Sequence, residues 1–425
     1  MFARLERRTK AYFYRRSGFT KKLEENDLIL WGCSIFLVAL AGILIASTQR
    51  QANYADWYQH WITAGVGVFL AIQLQRIPLH LIRPLLIPIY CLTSFSLIAV
   101  RIIGSSALGA QRWINIGGFN VQPSEFAKLA AILLLAAVLE RFPIGKAIDL
   151  LRPISVISMP WLLVFIQPDL GTSLVFGAVL IAMLYWAGMP LEWVFLSFSP
   201  LITAVFSGIF PWALLVWIPL IVFLAYRSFF NRLAASWITI LLQIVVAFST
   251  PWIWNNLLKD YQRDRLILFL DPSKDPLGGG YHLLQSSVGI GSGGIFGTGL
   301  LQGQLTKLRF IPEQHTDFIF SALGEETGFV GTIFVLVVFL LFIWRLLKIA
   351  RQARTDFESL VVVGIGTMLM FQVIVNISMT IGLGPVTGIP LPFLSYGRSA
   401  LLTNFLALGF CLSVSRSSRT ISRNW

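Results

Sequence analysis

Ionisable side chains cluster at one place in this otherwise apolar chain of 425 residues. The cluster comprises Glu313, His315, Asp317, Glu325 and Glu326. Its first three members alternate just before an apolar run, and the two glutamates lie inside that run. Carboxylates and histidine are costly at the edge of hydrocarbon, so the pattern predicts a functional site. Asp317 is the candidate general base, since a carboxylate at a rigid helix start can take a proton from a hydroxyl. The alternative is that Asp317 only caps the helix.

The elements that position this cluster must lie in a membrane. Hydrophobic residues make up 56% of the chain and charged residues only 12%. A soluble protein of this length cannot bury so much apolar surface, so we predict an integral membrane protein. The apolar runs have helical length and no period-two alternation. We therefore expect an all-α polytopic helical bundle of about ten core spans, plus an extra pair around residues 191–226.

The distribution of basic residues predicts the orientation. A net charge of +13 is compatible with nucleic-acid binding, but in a membrane protein it indicates basic cytoplasmic loops and contacts with anionic headgroups. We predict a basic cytoplasmic leader at 1–27, one membrane domain at 28–415 and a short basic cytoplasmic tail at 416–425. A long structured loop at 255–316 then lies on the outer side.

Cysteine and histidine give no metal signature. Cys33, Cys91 and Cys411 lie in apolar runs without CxxC spacing, and the four histidines are scattered along the chain. Neither a disulfide framework nor a metal site is predicted.

A second pair of charges begins the fourth predicted helix. Glu125 and Lys128 are three residues apart, so they share a helix face and can form an ion pair. Alternatively, Glu125 and Ser124 serve as a helix cap after Pro123. A cap does not account for Lys128, whose charge is unfavourable near the positive end of the helix dipole.

Asp169 is a further acid in an apolar context. It stands between two short helical runs, where an aspartate is either a helix N-cap or a site residue facing a cavity.

The long outer segment offers basic residues. Arg263 and Arg265 stand near its start, and Lys307 and Arg309 near its end. Such pairs suit phosphate groups, although plain contact with lipid headgroups is the alternative. The glycine run at 291–294 lacks the Lys-Ser/Thr ending of a P-loop, so a nucleotide site is not predicted.

Several motifs together resemble one known family. They are Arg112–Ile114, Gln122–Lys128, Gln167–Thr172, Asp275–Gly278, Gly280–Tyr281, Gln285–Ser286, Gly291–Gly294, Pro312–Phe320 and Gly388–Gly397. In this order, and with HTDFIF and PLPFLSYG among them, the chain resembles the SEDS (shape, elongation, division and sporulation) peptidoglycan polymerases, specifically the rod-shape-determining type.

The resemblance implies a glycosyltransferase that polymerises lipid II at the outer face of the bacterial cytoplasmic membrane and releases undecaprenyl pyrophosphate. It implies that Asp317 is the catalytic residue, that Trp113 is functionally sensitive, and that Glu125, Lys128 and Asp169 line the central cavity. Substrate contacts are also expected at residues of the matching motifs. These are Glu313, His315, Ser395 and Tyr396.

The leaving pyrophosphate needs positive charge. We expect Arg263, Arg265 and Lys128 to stabilise it. No cofactor motif is visible, and a divalent cation such as Mg²⁺ or Mn²⁺ is compatible with the chemistry. The sequence offers one acid–base candidate, whereas a mechanism that retains the anomeric configuration uses two carboxylates. Direct displacement, which inverts the anomeric configuration, is therefore the simpler expectation.

Two departures from the family pattern stand out. The family usually has about ten spans, so the apolar pair around 191–226 has no clear counterpart. Arg398 also follows the SYG motif where a second glycine is usual, and it offers another phosphate contact.

Two other classes of function compete. A flippase for the same lipid-linked precursor also needs a polar cavity, but its ionisable groups belong near the midplane. A structural hub needs only a partner. The family's partner is a class B penicillin-binding protein, a transpeptidase, and elongation and division members differ in the process served.

Overall fold

The computed structural model describes residues 27–49, 55–107, 110–117, 119–229, 231–256, 263–264, 267–269, 271, 274–275, 280–308, 310 and 313–421. Twelve long helices in these ranges form a bundle. They are Leu28–Thr48 (α1), Ala55–Leu74 (α2), Leu86–Ile103 (α3), Pro123–Arg141 (α4), Leu151–Ile166 (α5), Leu170–Trp186 (α6), Leu191–Ile209 (α7), Leu214–Ser228 (α8), Arg232–Asn256 (α9), Ile319–Arg351 (α12), Asp356–Thr380 (α13) and Arg398–Ile421 (α14). Two short helices, Tyr281–Ser292 (α10) and Gln304–Leu308 (α11), precede α12.

The helices confirm a polytopic membrane protein. Within the described ranges, nine helical segments are long and apolar enough to cross a bilayer, and α6 is a shorter apolar helix. Helices α2 and α4 fall outside that set. Both carry polar or ionisable residues along the bundle interior, including His60 and Lys128, which are 1% and 2% exposed.

Helix α13 is the centre of the bundle, where it packs against α4, α6, α12 and α14. Small residues allow these close approaches, as is usual between helices in a membrane. A Cβ atom added to Gly364 lies 2.6 Å from Ile132 Cγ2 and 2.7 Å from Met183 Sδ. The glycine therefore brings α13 against α4 and α6.

Helices α7, α8 and α9 form a peripheral trio that packs mainly on itself and meets the rest of the bundle through α6. Buried polar contacts join its members. Gln243 Nε2 donates to Ser199 Oγ at 2.7 Å, Trp217 Nε1 donates to Thr203 Oγ1 at 3.0 Å, and Thr203 Oγ1 donates to Gln243 Oε1. The apolar pair around 191–226 is thus two full helices rather than a shallow hairpin.

Helix α12 is interrupted at Gly328, whose φ of 66° and ψ of −165° are not helical. The segment from Gly294 to Gly299 satisfies the backbone groups freed there. Phe329 N donates to Gly294 O at 2.9 Å, Thr298 N to Glu325 O at 2.9 Å, and Gly299 N to Glu326 O at 3.0 Å. Irregular backbone at membrane depth is tolerated where protein covers it in this way.

A small antiparallel sheet accompanies the helical bundle. Its strands are Ser105–Ala107 (β1), Ala110–Ile116 (β2) and Phe119–Val121 (β3), in the order β1-β2-β3. Gly117, at φ 58°, lies in the turn between β2 and β3, where Asn115 pairs with Asn120. The sheet forms the connection between α3 and α4.

A buried ionic contact ties the chain together at one end of the bundle. Arg345 on α12 donates from Nε to both carboxylate oxygens of Asp27, at 3.0 and 2.8 Å, and its Nη2 lies 2.7 Å from Oδ2. Ser415 Oγ on α14 donates to the same carboxylate at 3.0 Å. Asp27, which also caps α1, therefore joins three helices.

Candidate active site

A cavity of about 510 Å³ opens where α2, α4, α6, α12 and α14 begin and the small sheet covers them. Its lining residues are Asp56, Gln59, Arg112, Trp113, Asn120, Gln122, Glu125, Asp169, Thr172, Glu313, Thr316, Asp317, Gly388, Pro390, Tyr396, Gly397, Arg398, Ser399 and Ala400. Segments far apart in the sequence thus meet around one polar space.

Asp317 lies on the cavity wall just before α12. The helix begins at Ile319, and Phe318, not Asp317, is its N-cap residue. Asn376 of α13 fixes the backbone here, since its Nδ2 donates to Asp317 O and to Ile389 O at 2.8 Å each. A rigid backbone presents the carboxylate to the cavity.

Gly388 lies opposite this carboxylate. Its φ is 72°, and a Cβ added to it lies 3.4 Å from Asp317 Oδ2. Glycine therefore permits both the left-handed backbone and the close approach to Asp317.

The segment 391–397 is held against the residues before Asp317. Ser395 Oγ donates to Thr316 O at 2.5 Å and accepts from Leu391 N at 2.8 Å. Tyr396 N donates to His315 O at 2.8 Å. Ser395 therefore lies behind the cavity wall, where it positions the Asp317 segment.

Tyr396 links this wall to α2. Its hydroxyl donates to Gln59 Oε1 at 2.8 Å. Burial raises the pKa of Tyr396 above its ordinary value of 10.0, and the nearby Asp56 carboxylate adds to the effect. His315 Nε2 lies 3.8 Å from Asp56 Oδ2, and its ring centroid is 5.6 Å from that of Tyr396.

Glu125 and Lys128 form the predicted ion pair. Lys128 Nζ donates to Glu125 Oε1 at 2.8 Å, and both residues are 2% exposed. Helix α4 begins after Gln122, which makes no side-chain cap hydrogen bond, and Pro123 occupies its first turn. Glu125 lines the cavity, while Lys128 lies one turn deeper and neutralises it.

Asp169 fulfils both interpretations that the sequence left open. It is the N-cap of α6, where Oδ1 accepts from Thr172 N at 3.2 Å and Oδ2 accepts from Thr172 Oγ1 at 3.0 Å. It also lines the cavity. Arg112 of β2 lies beside it, with Nη1 3.9 Å from Oδ1, and donates from Nη2 to Pro168 O.

Trp113 and Arg398 complete the wall from two sides. Trp113 follows Arg112 on β2, and Arg398 is the first residue of α14. The Arg398 guanidinium stacks over the Phe119 ring at 4.6 Å, which ties α14 to β3. Arg398 thus adds a cation at the cavity.

Not every predicted residue lines this space. Arg263 is not among the lining residues, and Arg265 lies outside the described residues. Asp56, Gln59 and Asn120 are among the lining residues that the sequence did not single out. Asp56 carries the signal that singled out Asp317, because it is an acid at the entry of an apolar helix.

Glu325 and Glu326, which the sequence grouped with Asp317, do not line the cavity and instead support the structure behind it. Glu325 accepts hydrogen bonds from Leu305 N at 2.8 Å, Thr306 N at 2.9 Å and Thr306 Oγ1 at 2.6 Å, so it caps α11. Glu326 accepts from Leu301 N at 3.0 Å and from Ser47 Oγ at the end of α1. Both carboxylates fix the loop that packs against the α12 break.

Within the described residues, no group of three or more histidine, cysteine, aspartate or glutamate side chains is arranged to hold a metal ion. The expected divalent cation stays a prediction. The cavity nevertheless combines what transfer chemistry on a phosphorylated substrate requires. It has a fixed carboxylate, Asp317, and two guanidinium groups, Arg112 and Arg398, around one water-accessible space.

Comparisons with known proteins agree with this arrangement. The family model described as "Cell cycle protein", which covers FtsW, RodA and SpoVE, matches residues 27–228 and 220–420. The peptidoglycan glycosyltransferase RodA of Treponema pallidum (strain Nichols) is 34% identical over an alignment of 439 positions, which spans 94% of this chain and 98% of the relative. The peptidoglycan glycosyltransferase MrdB of Escherichia coli (strain K12) is 35% identical over 368 residues, 85% of each chain.

A solved structure shares the fold as well. One chain of a peptidoglycan synthase complex, described for its structural coordination of polymerization and crosslinking, superposes with a TM-score of 0.70 at 29% identity. The match covers 92% of this chain and 98% of that chain.

Proposed function

The chain belongs to the cell cycle protein family of FtsW, RodA and SpoVE, and from that premise we propose that it polymerises lipid II into glycan strands. It is a peptidoglycan glycosyltransferase of the rod-shape-determining type. The observation that carries the mechanism is the position of Asp317. Its carboxylate lies on the wall of a cavity that Arg112 and Arg398 also line, and Asn376 fixes its backbone.

Asp317 is the general base of the transfer. Its carboxylate accepts the proton of the 4-hydroxyl of one lipid-linked disaccharide, and that oxygen attacks the anomeric carbon of another. The bond from the anomeric carbon to the pyrophosphate oxygen breaks, and undecaprenyl pyrophosphate leaves with the bonding electrons. A single displacement inverts the anomeric carbon.

Arg112 and Arg398 stabilise the charge that develops on the leaving pyrophosphate. Both line the cavity, unlike Arg263, which the sequence alone favoured for this role. A divalent cation such as Mg²⁺ or Mn²⁺ would supply further positive charge for the leaving group, and lining carboxylates such as Glu313 would be available to hold it. Trp113, Glu125, Asp169, Glu313 and Tyr396 contact the sugar and pyrophosphate, with Lys128, His315 and Ser395 supporting them from behind.

The cavity faces the outer side of the cytoplasmic membrane, and both termini are cytoplasmic. Basic residues at the opposite end of the bundle favour this orientation, since Arg345, Lys348, Arg351 and Arg354 follow one another there. The partner is a class B penicillin-binding protein, whose transpeptidase crosslinks the strands. The shared fold with a chain of a peptidoglycan synthase complex supports a partner of this kind.

The test is polymerisation of purified lipid II by the reconstituted protein, with the transpeptidase added or omitted. We expect Asp317→Asn to lower the rate by about 10²-fold or more, because a general base contributes that much. Glu192→Gln is the matched control, since Glu192 is an exposed acid at the far end of the bundle. Polymerisation by Asp317→Asn at the rate of the control contradicts the assignment. Lipid II flipping without polymer formation favours transport instead.

A further inference from the structure

A second cavity of about 510 Å³ lies at the opposite end of the bundle from the candidate active site. Its charged lining residues are Arg76, His80, Arg83, Arg354, Glu358 and Arg416. Four guanidinium groups and one imidazole therefore surround this space, against one lining carboxylate. The proposed polymerisation uses none of them.

Three helices run from one cavity to the other. Helix α14 begins with Arg398 at the first cavity and carries Arg416 at the second. Helix α2 has Gln59 at the first cavity and ends just before Gln75 at the second. Helix α13 begins at the second cavity and carries Asn376, which holds the backbone of Asp317 at the first. At 1.5 Å per residue, the distance along α14 between these arginines is about 27 Å. This nearly equals the ~30 Å hydrocarbon thickness of a bilayer, so the second cavity lies at the opposite membrane interface.

The lining carboxylate is already engaged. Glu358 Oε2 accepts from Arg354 N at 3.2 Å, and Oε1 accepts from Ser417 Oγ at 3.2 Å. Arg83 is paired with Glu140 at 2.8 Å and stacks over Phe357 at 4.6 Å. These contacts build the cavity wall. The lining arginines therefore outnumber the lining carboxylates, of which Glu358 is the one described.

Arg76 and Arg354 carry that excess charge. Both side chains are exposed, and neither forms an ion pair with a described carboxylate. Arg76 Nη1 makes only a long contact, 3.4 Å, to Gln73 Oε1. The N-terminus of α13, capped by Thr355, lies in the same wall and adds the positive end of its helix dipole. Planar guanidinium groups beside a helix N-terminus favour a phosphate group.

The flank of the cavity is apolar. Ile77, Leu81 and Leu85 follow Arg76 in the link between α2 and α3 and are 38%, 59% and 54% exposed. A charged pocket with apolar surface beside it suits an amphiphile whose headgroup is anionic. An acyl chain can lie along these residues while the phosphate lies among the arginines.

We propose that this second cavity binds a phosphate group at the membrane interface opposite the active site. The phosphate belongs either to an anionic phospholipid or to a small soluble anion, and the two sources share the chemistry of the arginine cluster. Binding here is independent of the polymerase activity, so it can be measured on protein that makes no glycan.

Two probes distinguish the sources: dihexanoyl phosphatidylglycerol and inorganic phosphate, each titrated onto the full-length protein in neutral detergent at constant ionic strength. The test variant is Arg76→Gln/Arg354→Gln. The control is Arg227→Gln/Arg232→Gln, which removes one arginine from the end of α8 and one from the start of α9, at the same end of the bundle but outside the cavity. Arg76→Lys/Arg354→Lys keeps the charge and checks that substitution itself does not disturb the fold.

We expect at least one probe to bind wild type and the control within twofold of each other, and to bind the double glutamine variant at least tenfold more weakly. The double lysine variant retains binding. Binding of phosphatidylglycerol alone identifies a lipid site, and displacement of the lipid by inorganic phosphate identifies a soluble anion. The proposal is overturned if neither probe binds, or if the double glutamine variant binds as well as the control.

Discussion

Lys128 lies inside the bundle, where it forms an ion pair with Glu125. Among the described ion pairs, Lys128 takes part in no other. Such a pair is tolerated because each member compensates the other. Replacing Lys128 by methionine leaves the Glu125 carboxylate buried without its partner. We expect Lys128→Met to lower the free energy of unfolding by about 3–5 kcal/mol, measured by thermal unfolding in one detergent.

The double variant Glu125→Gln/Lys128→Met removes both charges and is the control for this prediction. It should recover most of the lost stability, because no uncompensated charge remains. Its polymerisation should stay low, since Glu125 lines the cavity. Equal stability of Lys128→Met and wild type contradicts the role given to the pair.

Tyr396 makes stability depend on pH in the alkaline range. Burial raises the pKa of its phenol above the ordinary 10.0, so the folded state disfavours the tyrosinate that the unfolded chain can form. The contribution of Tyr396 is therefore complete below pH 10 and declines as the pH rises through the folded-state pKa. The unfolding free energy of Tyr396→Phe should fall less steeply above pH 10 than that of wild type.

The exposed Tyr226 gives the control for that titration. Tyr226→Phe should keep the wild-type pH dependence, because this side chain lies on the surface of α8. If Tyr396→Phe shows the same alkaline slope as Tyr226→Phe, the buried phenol is not responsible.

At the residue scale, local patterns identified three acids of the cavity wall. Asp317, Glu125 and Asp169 were identified because an acid beside an apolar run is costly. The same rule applies to Asp56, which was overlooked because it stands alone in sequence. The exclusion of Arg263 from the lining could not be predicted, since long-range packing decides which basic residues of a loop reach a cavity.

At the element scale, the break in α12 depends on glycine on both sides of the contact. Gly297 has φ 80°, and a Cβ added there lies 2.2 Å from Glu326 O. We expect Gly297→Ala to lower the free energy of unfolding by about 1–3 kcal/mol through backbone strain alone. The steric clash adds to this loss, so the midpoint of thermal unfolding should fall.

Gly291 is the matched control on the same segment. It lies in α10, and a Cβ added there meets nothing within 4 Å. Gly291→Ala should be neutral or stabilising by up to about 1 kcal/mol, because alanine favours a helix. Equal midpoints for the two variants contradict the close packing described here.

Hydrophobic run length predicted the long helices, and Pro123 fixed the start of α4 correctly. The sheet between α3 and α4 was not predicted as strands, because three-residue strands such as β1 and β3 are too short to show alternation. The break at Gly328 was also missed. A lone glycine within an apolar run is common in membrane helices, and only the partner segment 294–299 makes it a break.

At the scale of the whole molecule, Asp27 joins α1, α12 and α14. Asp27→Ala leaves the Arg345 guanidinium, 8% exposed, without its carboxylate. We expect a loss of about 3–5 kcal/mol in the free energy of unfolding, measured by thermal unfolding.

Asp356→Ala serves as the comparison, because Asp356 is an exposed acid in the first turn of α13 at the same end of the bundle. Its loss should cost less than about 1 kcal/mol. If Asp27→Ala lowers the free energy of unfolding no more than Asp356→Ala does, Asp27 does not hold the three helices together.

Composition alone established the membrane class, and the family motifs supplied the chemistry. Sequence reasoning did not establish which helices surround the site, because the partners are distant along the chain. The peripheral trio α7–α9 illustrates the limit. Its apolar runs predicted helices, but its position beside α6 follows from the packing of α7 on α6, which no local pattern shows.

The packing of α2 against α14 has a consequence for how the protein is made. More than 300 residues separate these helices, yet each contributes side chains to the same cavity wall, Gln59 and Arg398 among them. Chains emerge from the ribosome N-terminus first, so α2 enters the membrane long before its partner exists. Until then His60, which is buried in the folded bundle, lacks the protein surroundings that cover it. The cavity is completed only when α14 is in place, so a nascent chain cannot polymerise glycan before α14 has been inserted.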